Sequence, residues 1–308
     1  MSEKALDSLQ VIELPYLPGH GFKIRRSQGW RELDDYKLCG VYQATGVPVE
    51  IGEPNWDKEI FPECEEECFA EYGRFAGRIA EMAATAFLNG KAVLMTGADC
   101  RQVVGLCGGL RQALGPEKRL GIIYLDAHGD FNTPETTLSG MLGGMPLAVC
   151  AGLCCEEWRL GAGLEPPVDF CDIIMSDGRN LDKPEEELMR STAINYLDTA
   201  AFLDNARWKQ AVEQLAEQTD AIVLHIDVDI LDGELVPNHS TRENCGPGFQ
   251  ETAERIRCVM DSGKVAAYSL LSVYHETGRS GQDISTINSM RLMGAGLDSW
   301  KCCPDLKK

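Results

Sequence analysis

Near-continuous apolar strands alternating with amphipathic helices predict an α/β fold. We read it as a single three-layer α/β/α domain, residues 1–308, built on a mostly parallel sheet. Three observations carry this. The strand-like runs are apolar throughout, as strands covered on both faces are. The segments between them repeat at helical spacing. No linker or low-complexity stretch divides the 308 residues, a length that fits one large domain.

The elements follow in order. "LQVIEL" (9–14) reads as the first strand, ended by "PYLPGHG". Residues 61–89 read as a long helix, with Phe69, Tyr72, Ala76, Ile79, Ala83 and Phe87 on one face and Asn89-Gly90 as its end. "KAVLMTG" (91–97) is a short buried strand, followed by a helix over 101–114. "GIIYLD" (121–126), "VDFCDIIM" (168–175), "AIVLHIDVD" (221–229) and "KVAAYSLLSV" (264–273) are further strands. Helices are expected over 206–218, with Trp208, Val212 and Leu215 on one face, and over 249–263. In such sheets ligands bind outside the carboxyl ends of the strands. Every notable polar cluster of this chain falls there.

Composition narrows the function. With 29 Lys+Arg against 48 Asp+Glu, the net charge is −19. That argues against nucleic acid and against an anionic membrane surface as partners. It suits a cationic small molecule, although solubility alone explains an acidic surface. "MSEKALDSLQ" lacks the basic and apolar regions of a signal peptide, and no run approaches the roughly 18 apolar residues of a membrane span. A cytoplasmic location is expected. The 13 cysteines are odd in number and scattered, which reads as free thiols. Cys64/Cys68, Cys154–Cys155 and Cys302–Cys303 lack zinc-site spacing and are taken as structural.

Two segments carry the chemistry. In "GIIYLDAHGDFN", Asp126, His128 and Asp130 occupy alternate positions at the end of an apolar run. In "HIDVDILD", Asp227 and Asp229 do the same. Alternate residues of a strand share a face. Four carboxylates converging in one pocket would repel strongly, and one or two dications remove that cost. "DVD" alone would read as an acidic turn; the pair of clusters reads as metal-ligating. A metallophosphoesterase also begins D-x-H, but its later G-N-H-D/E segment is missing.

"YLDAHGDFNTPETTLSG" and "HIDVDILD" resemble the two signature segments of the arginase–agmatinase (ureohydrolase) family, in order and spacing over residues 90–300. The resemblance implies two manganese ions, hydrolysis of guanidino or formimino C–N bonds, and a trimeric or hexameric homo-oligomer. It implies that Asp126 and Asp227 bridge both metals. Asp130 would bind one metal and hydrogen-bond the attacking water, and His128 and Asp229 would complete the other metal.

The departures are specific. The family's sixth ligand is a His in G-G-D-H; here "TGADC" sets Cys100 in its place. A thiolate ligand would favour zinc, iron or cobalt over manganese. Alternatively, Cys100 lines the pocket beside a weak metal position. Met141 replaces an Asn that helps bind a substrate carboxylate, Gly143 a His linked to proton transfer, and Ser272 a Glu that grips the guanidinium. Losing that Glu removes a charge-assisted hydrogen bond. Asn132, Ser139, Asp182 and Thr241 match family substrate positions. The amino-acid end is kept and the scissile end rebuilt, so the expected substrate is an amino-acid-like molecule with a modified guanidino or amidino group, such as an N-hydroxylated one.

Among other histidines, His239 in "PNHSTREN" is a candidate replacement for the proton shuttle, or a loop residue facing solvent. His225 reads as a core or supporting histidine. His275 and Arg279 lie in a turn-rich segment without a phosphate-binding pattern, and His20 supports no assignment. Two rival functions remain: a catalytically weakened regulatory or assembly subunit, which the replacements favour, and a single-metal amidohydrolase.

Overall fold

The computed structural model describes residues 4–18, 24–26, 30–55, 69–273 and 283–306. Eight strands make the central sheet: β1 (Leu9–Leu14), β2 (Val49–Gly52), β3 (Ala92–Gly97), β4 (Leu120–Asp126), β5 (Ile173–Asp177), β6 (Asn195–Asp198), β7 (Ala221–Asp227) and β8 (Val265–Leu271). Their order is β2-β1-β3-β8-β7-β4-β5-β6, and every neighbouring pair is parallel.

Side chains alternate between two cores. Ile122 and Tyr124 of β4 pack under the helices Phe69–Leu88 and Val103–Leu114. Ile123 and Leu125 pack under Asn205–Gln218, Phe249–Met260 and Ile284–Ser299. The sheet is therefore the middle of three layers, as the apolar strands predict. Close packing at Val103–Leu114 depends on glycine: a Cβ at Gly108 would meet the carbonyl of Ala162, and one at Gly105 the carbonyl of Ala76.

Register brings the polar strand ends together. Ile226 pairs with Leu125, so Asp227 and Asp126 leave adjacent strands side by side. Asp126 in turn pairs with Asp177.

Several expected bounds shift for a local reason. The segment at 168–175 first makes a 3-10 turn at Phe170–Asp172, where Asp169 accepts from the Cys171 N–H, and only then enters β5. The strand expected over 221–229 stops at Asp227; Val228–Ile230 is a 3-10 turn capped by the Asp227 carboxylate. The long helix runs Phe69–Leu88. Its expected first turns, with Cys64 and Cys68, lie outside the described residues, as do His20, His275 and Arg279. Edge strands β2 and β6 and the helices Lys183–Arg190 and Ile284–Ser299 went unread. The two strands are four residues long and partly exposed, which leaves little periodicity to detect. The described cysteines are all free thiols. Among the described residues no helix is long and apolar enough to cross a membrane.

Candidate active site

The strand ends stop in turns that their own aspartates cap. Asp126 Oδ1 accepts from the N–H of His128 (2.6 Å), Asp227 Oδ1 from that of Asp229 (2.9 Å), and Asp99 Oδ1 from that of Arg101 (3.1 Å). Such carboxylate-to-backbone bonds compete with the strand ladder and end it. The alternation argument therefore needs correcting. His128, Asp130 and Asp229 are delivered by turns, with Asp130 at φ +48°, and only Asp126 and Asp227 by strands.

These turns assemble three groups of ligand-type atoms, each within 4.8 Å of one another: Cys100, Asp126 and His225; Asp126, His128 and Asp229; Asp227, Asp229 and His239. Cys100 Sγ lies 2.9 Å from Asp227 Oδ2 and 3.4 Å from Ser272 Oγ. His128 Nδ1 lies 3.0 Å from Asp229 Oδ2, and His239 Nε2 3.4 Å from Asp227 Oδ1. Asp130 belongs to none of the three groups; Tyr124 holds it beside them. Its carbonyl also accepts from Leu147 and Ala148, the start of the helix Pro146–Cys150.

Asp126, Asp130, Asp227 and Asp229 are all buried, and among the described residues no Lys or Arg side chain pairs with any of them. Burial, then repulsion from its three aspartate neighbours, pushes the Asp126 carboxyl well above the usual range. Burial also raises Asp130, against the hydrogen bond from Tyr124. Burial would raise Asp229 too, but its contacts with His128 outweigh this and bring it down to about 2. Burial opposes charge on His239, yet Asp227 and Asp229 prevail and raise it to about 9. Burial keeps His225 neutral, lowered to about 3, and pushes the Cys100 thiol up. The cluster thus retains protons that a dication would displace. Three adjoining groups of carboxylates, imidazoles and, in one of them, a thiol fit divalent metal.

Above the cluster opens a cleft of about 620 Å³. The expected metal, substrate and proton-transfer residues line it except Asp126, which lies beneath; His225 does not line it either. Asn132 Nδ2 donates to Asp182 Oδ2 (3.2 Å), as does the Leu138 N–H (3.3 Å). Ser139 Oγ accepts from the Met141 N–H, and Thr241 contacts the ring of His239 through Oγ1 (3.1 Å). His239 is buried and not a solvent-facing loop residue. Met141 stands exposed at the rim, and a Cβ on Gly143 would have nothing within 4 Å.

Two supporting residues escaped sequence reasoning. Glu243 Oε1 lies 3.3 Å from Nε2 of His128, the carboxylate–histidine arrangement that orients a ligand ring. Arg179 pairs with Asp177 and donates to the carbonyls of Asp229, Ile230, Leu231 and Glu243, clamping the turn that carries Asp229. No spacing signals the contact of Glu243 with His128 or that of Arg179 with the Asp229 turn, because the partners are 50 residues or more apart. His225, read as a core or supporting histidine, is wholly buried and faces Cys100.

Sheet and cluster define a class: three-layer α/β proteins with a carboxylate-rich metal centre at the carboxyl edge of a parallel sheet. Within it, this chain belongs to the arginase family, whose profile matches residues 24–287. The arginase of Brevibacillus brevis is 28% identical over 204 residues, 64% of this chain and 66% of that one. The arginase of Bacillus caldovelox is 30% identical over 168 residues, 53% and 55% of the two chains. The matched region is therefore less than two thirds of those relatives' length. Among solved structures, Bacillus cereus arginase superposes with a TM-score of 0.79 at 20% identity, over 94% of this chain and 98% of that one. Formimidoylglutamase from Bacillus subtilis gives 0.70 at 13% identity, over 97% and 88%. Those two likenesses establish the fold.

Proposed function

We propose that this chain is a metal-dependent hydrolase that cleaves a C–N bond of an amino-acid-like guanidino or amidino compound. Its preferred substrate carries a modified guanidine, such as an N-hydroxylated one, and arginine is a poor substrate. Two divalent ions serve it, manganese foremost, with zinc, iron or cobalt at the Cys100 position. When bound, they neutralise the buried carboxylates and activate water for attack. Membership of the arginase family supports the reaction class.

The chain's own residues divide the remaining work. Asp130, fixed by Tyr124, orients the attacking water. His239 carries a proton at Nε2 toward the leaving amine. Asn132, Ser139 and Asp182 receive the amino-acid end, and Thr241 and Ser272 flank the scissile end. Ser272 carries the substrate preference: its buried hydroxyl, 3.4 Å from Cys100 Sγ, stands where the family resemblance sets a Glu. A hydroxyl both donates and accepts, which suits a neutral or hydroxylated group, whereas a carboxylate suits a full cation. The working form is a cytoplasmic homo-oligomer, a trimer or hexamer.

The test is a substrate panel of arginine, agmatine, N-hydroxylated and N-substituted guanidines and formimino amino acids, run on manganese-, zinc- and iron-loaded protein. Preferential turnover of modified guanidines supports the reading. Ordinary arginase efficiency on arginine, with no such preference, overturns it. Gly143, open where an imidazole would transfer protons, favours one second reading: a weakened regulatory or assembly subunit. Metal content near zero per chain would favour that reading, and near one a single-metal amidohydrolase.

A further inference from the structure

We propose that His225 is a metal ligand and that, with Cys100, it makes one metal position a nitrogen–sulfur site selective for zinc or cobalt over manganese. The inference rests on reading the cluster as a metal centre. It adds to that centre a residue that neither spacing nor family resemblance assigns.

His225 is wholly buried in the middle of β7. Its register partners are Tyr124 on β4 and Ser269 on β8. This row lies two residues below the one that carries Asp126 and Asp227. Cys100 descends onto it from the turn after β3, with Sγ 3.2 Å from His225 Nε2. On the other side of the ring, Nδ1 meets Ser269 Oγ at 2.8 Å, and the Tyr124 ring packs 4.2 Å away. A ligating histidine is held in this manner, one nitrogen fixed by a hydrogen bond and the other presented to the metal. With the proton on Nδ1 donated to Ser269, the Nε2 lone pair points to the thiol.

Cys100, His225 and Asp126 offer atoms within 4.8 Å of one another, and Asp227 Oδ2 is 2.9 Å from the sulfur. That makes a possible set of one sulfur, one nitrogen and two oxygens. Tetrahedral zinc, with metal–sulfur and metal–nitrogen bonds of about 2.3 and 2.0 Å, sets these two atoms roughly 3.5 Å apart. The observed 3.2 Å needs a shift of only a few tenths of an ångström. Where the resemblance sets a single imidazole at position 100, this chain has a thiol there and an imidazole on an inner strand. The nitrogen ligand has changed strands and a soft ligand has been added. Sulfur with imidazole suits zinc and cobalt, and manganese prefers oxygen-rich sites.

The full chain is stripped of metal and reloaded with cobalt(II) or zinc. In wild-type protein we expect a thiolate-to-cobalt charge-transfer band and the intense visible bands of a four-coordinate ion. Cys100→Ser should abolish the charge-transfer band. His225→Gln should keep it, shift the visible bands and weaken zinc binding by more than about 100-fold, beyond the 10–100-fold that a supporting residue commands. Zinc-edge X-ray absorption on wild-type protein with one equivalent bound needs no variant. A shell holding sulfur and imidazole supports the proposal; sulfur without imidazole overturns it. An unchanged spectrum and zinc affinity in a folded His225→Gln variant also overturns it, leaving the metal-centre reading intact. Failure of wild-type protein to bind any metal overturns both.

Discussion

The hydroxyl of Tyr124 donates to Oδ2 of Asp130 across 2.6 Å, from a ring wholly buried on β4. The bond ties a strand side chain to the carboxylate of the loop that follows. The backbone of Asp130 is already pinned at φ +48° by the start of the helix Pro146–Cys150. Hydrogen bonds to charged groups contribute about 1.5–3 kcal/mol. Tyr124→Phe should weaken binding of one metal by about 10–100-fold while the protein stays folded. Chelator competition reads the affinity and far-ultraviolet circular dichroism the fold; unchanged affinity would remove Tyr124 from the site's support.

Four buried carboxylates with no Lys or Arg partner among the described residues predict that stability rises when a cation binds. Stripping metal should lower the melting temperature, and returning manganese or zinc should restore it in proportion to affinity. Asp227→Asn should lose the rise in melting temperature that metal gives the wild-type protein. The raised carboxyls of Asp126 and Asp130, burial being the first cause, add a pH signature. Metal displaces their protons, so binding releases protons and weakens as pH falls. Calorimetry in buffers of different ionisation enthalpy measures this; equal heats in all buffers would count against it.

Asp227 and Asp229 overcome the burial of His239 and raise it to about 9. Acting as the proton donor to a leaving amine, it loses that proton, and the rate falls, as pH rises through its pKa, which cations neutralising Asp227 and Asp229 bring below about 9. His239→Gln should reduce kcat, leave KM nearly unchanged and erase that alkaline limb. A variant that retains the limb assigns it to another group.

Gly143 faces open space within the cleft and does not use a left-handed backbone. Gly143→His should therefore fold normally. Proton transfer by a positioned side chain contributes about 10²–10⁴-fold, so even an imperfectly placed imidazole should raise turnover of a guanidino substrate about tenfold. A stable variant with no gain would show that the proton already has an adequate route, with His239 the first candidate.

Much of this was legible in the sequence. Apolar runs marked the inner strands, and the acidic residues at their ends marked the sheet edge where ligands gather. Asp126 and Asp227 follow directly, because each closes a run buried on both faces. The pleat did not place the others: an aspartate that accepts its own backbone N–H two residues on ends the strand, so turns set the positions of His128, Asp130 and Asp229. Tertiary structure alone decided what supports them. Glu243 reaches His128, Arg179 clamps the Asp229 turn, and His225 meets Cys100 across 125 positions of chain. Sequence periodicity reports which face of a strand a residue occupies. Which strand lies beside it is set by the β3-β8-β7-β4 order and register, and that order turned a buried histidine into the neighbour of a buried thiol.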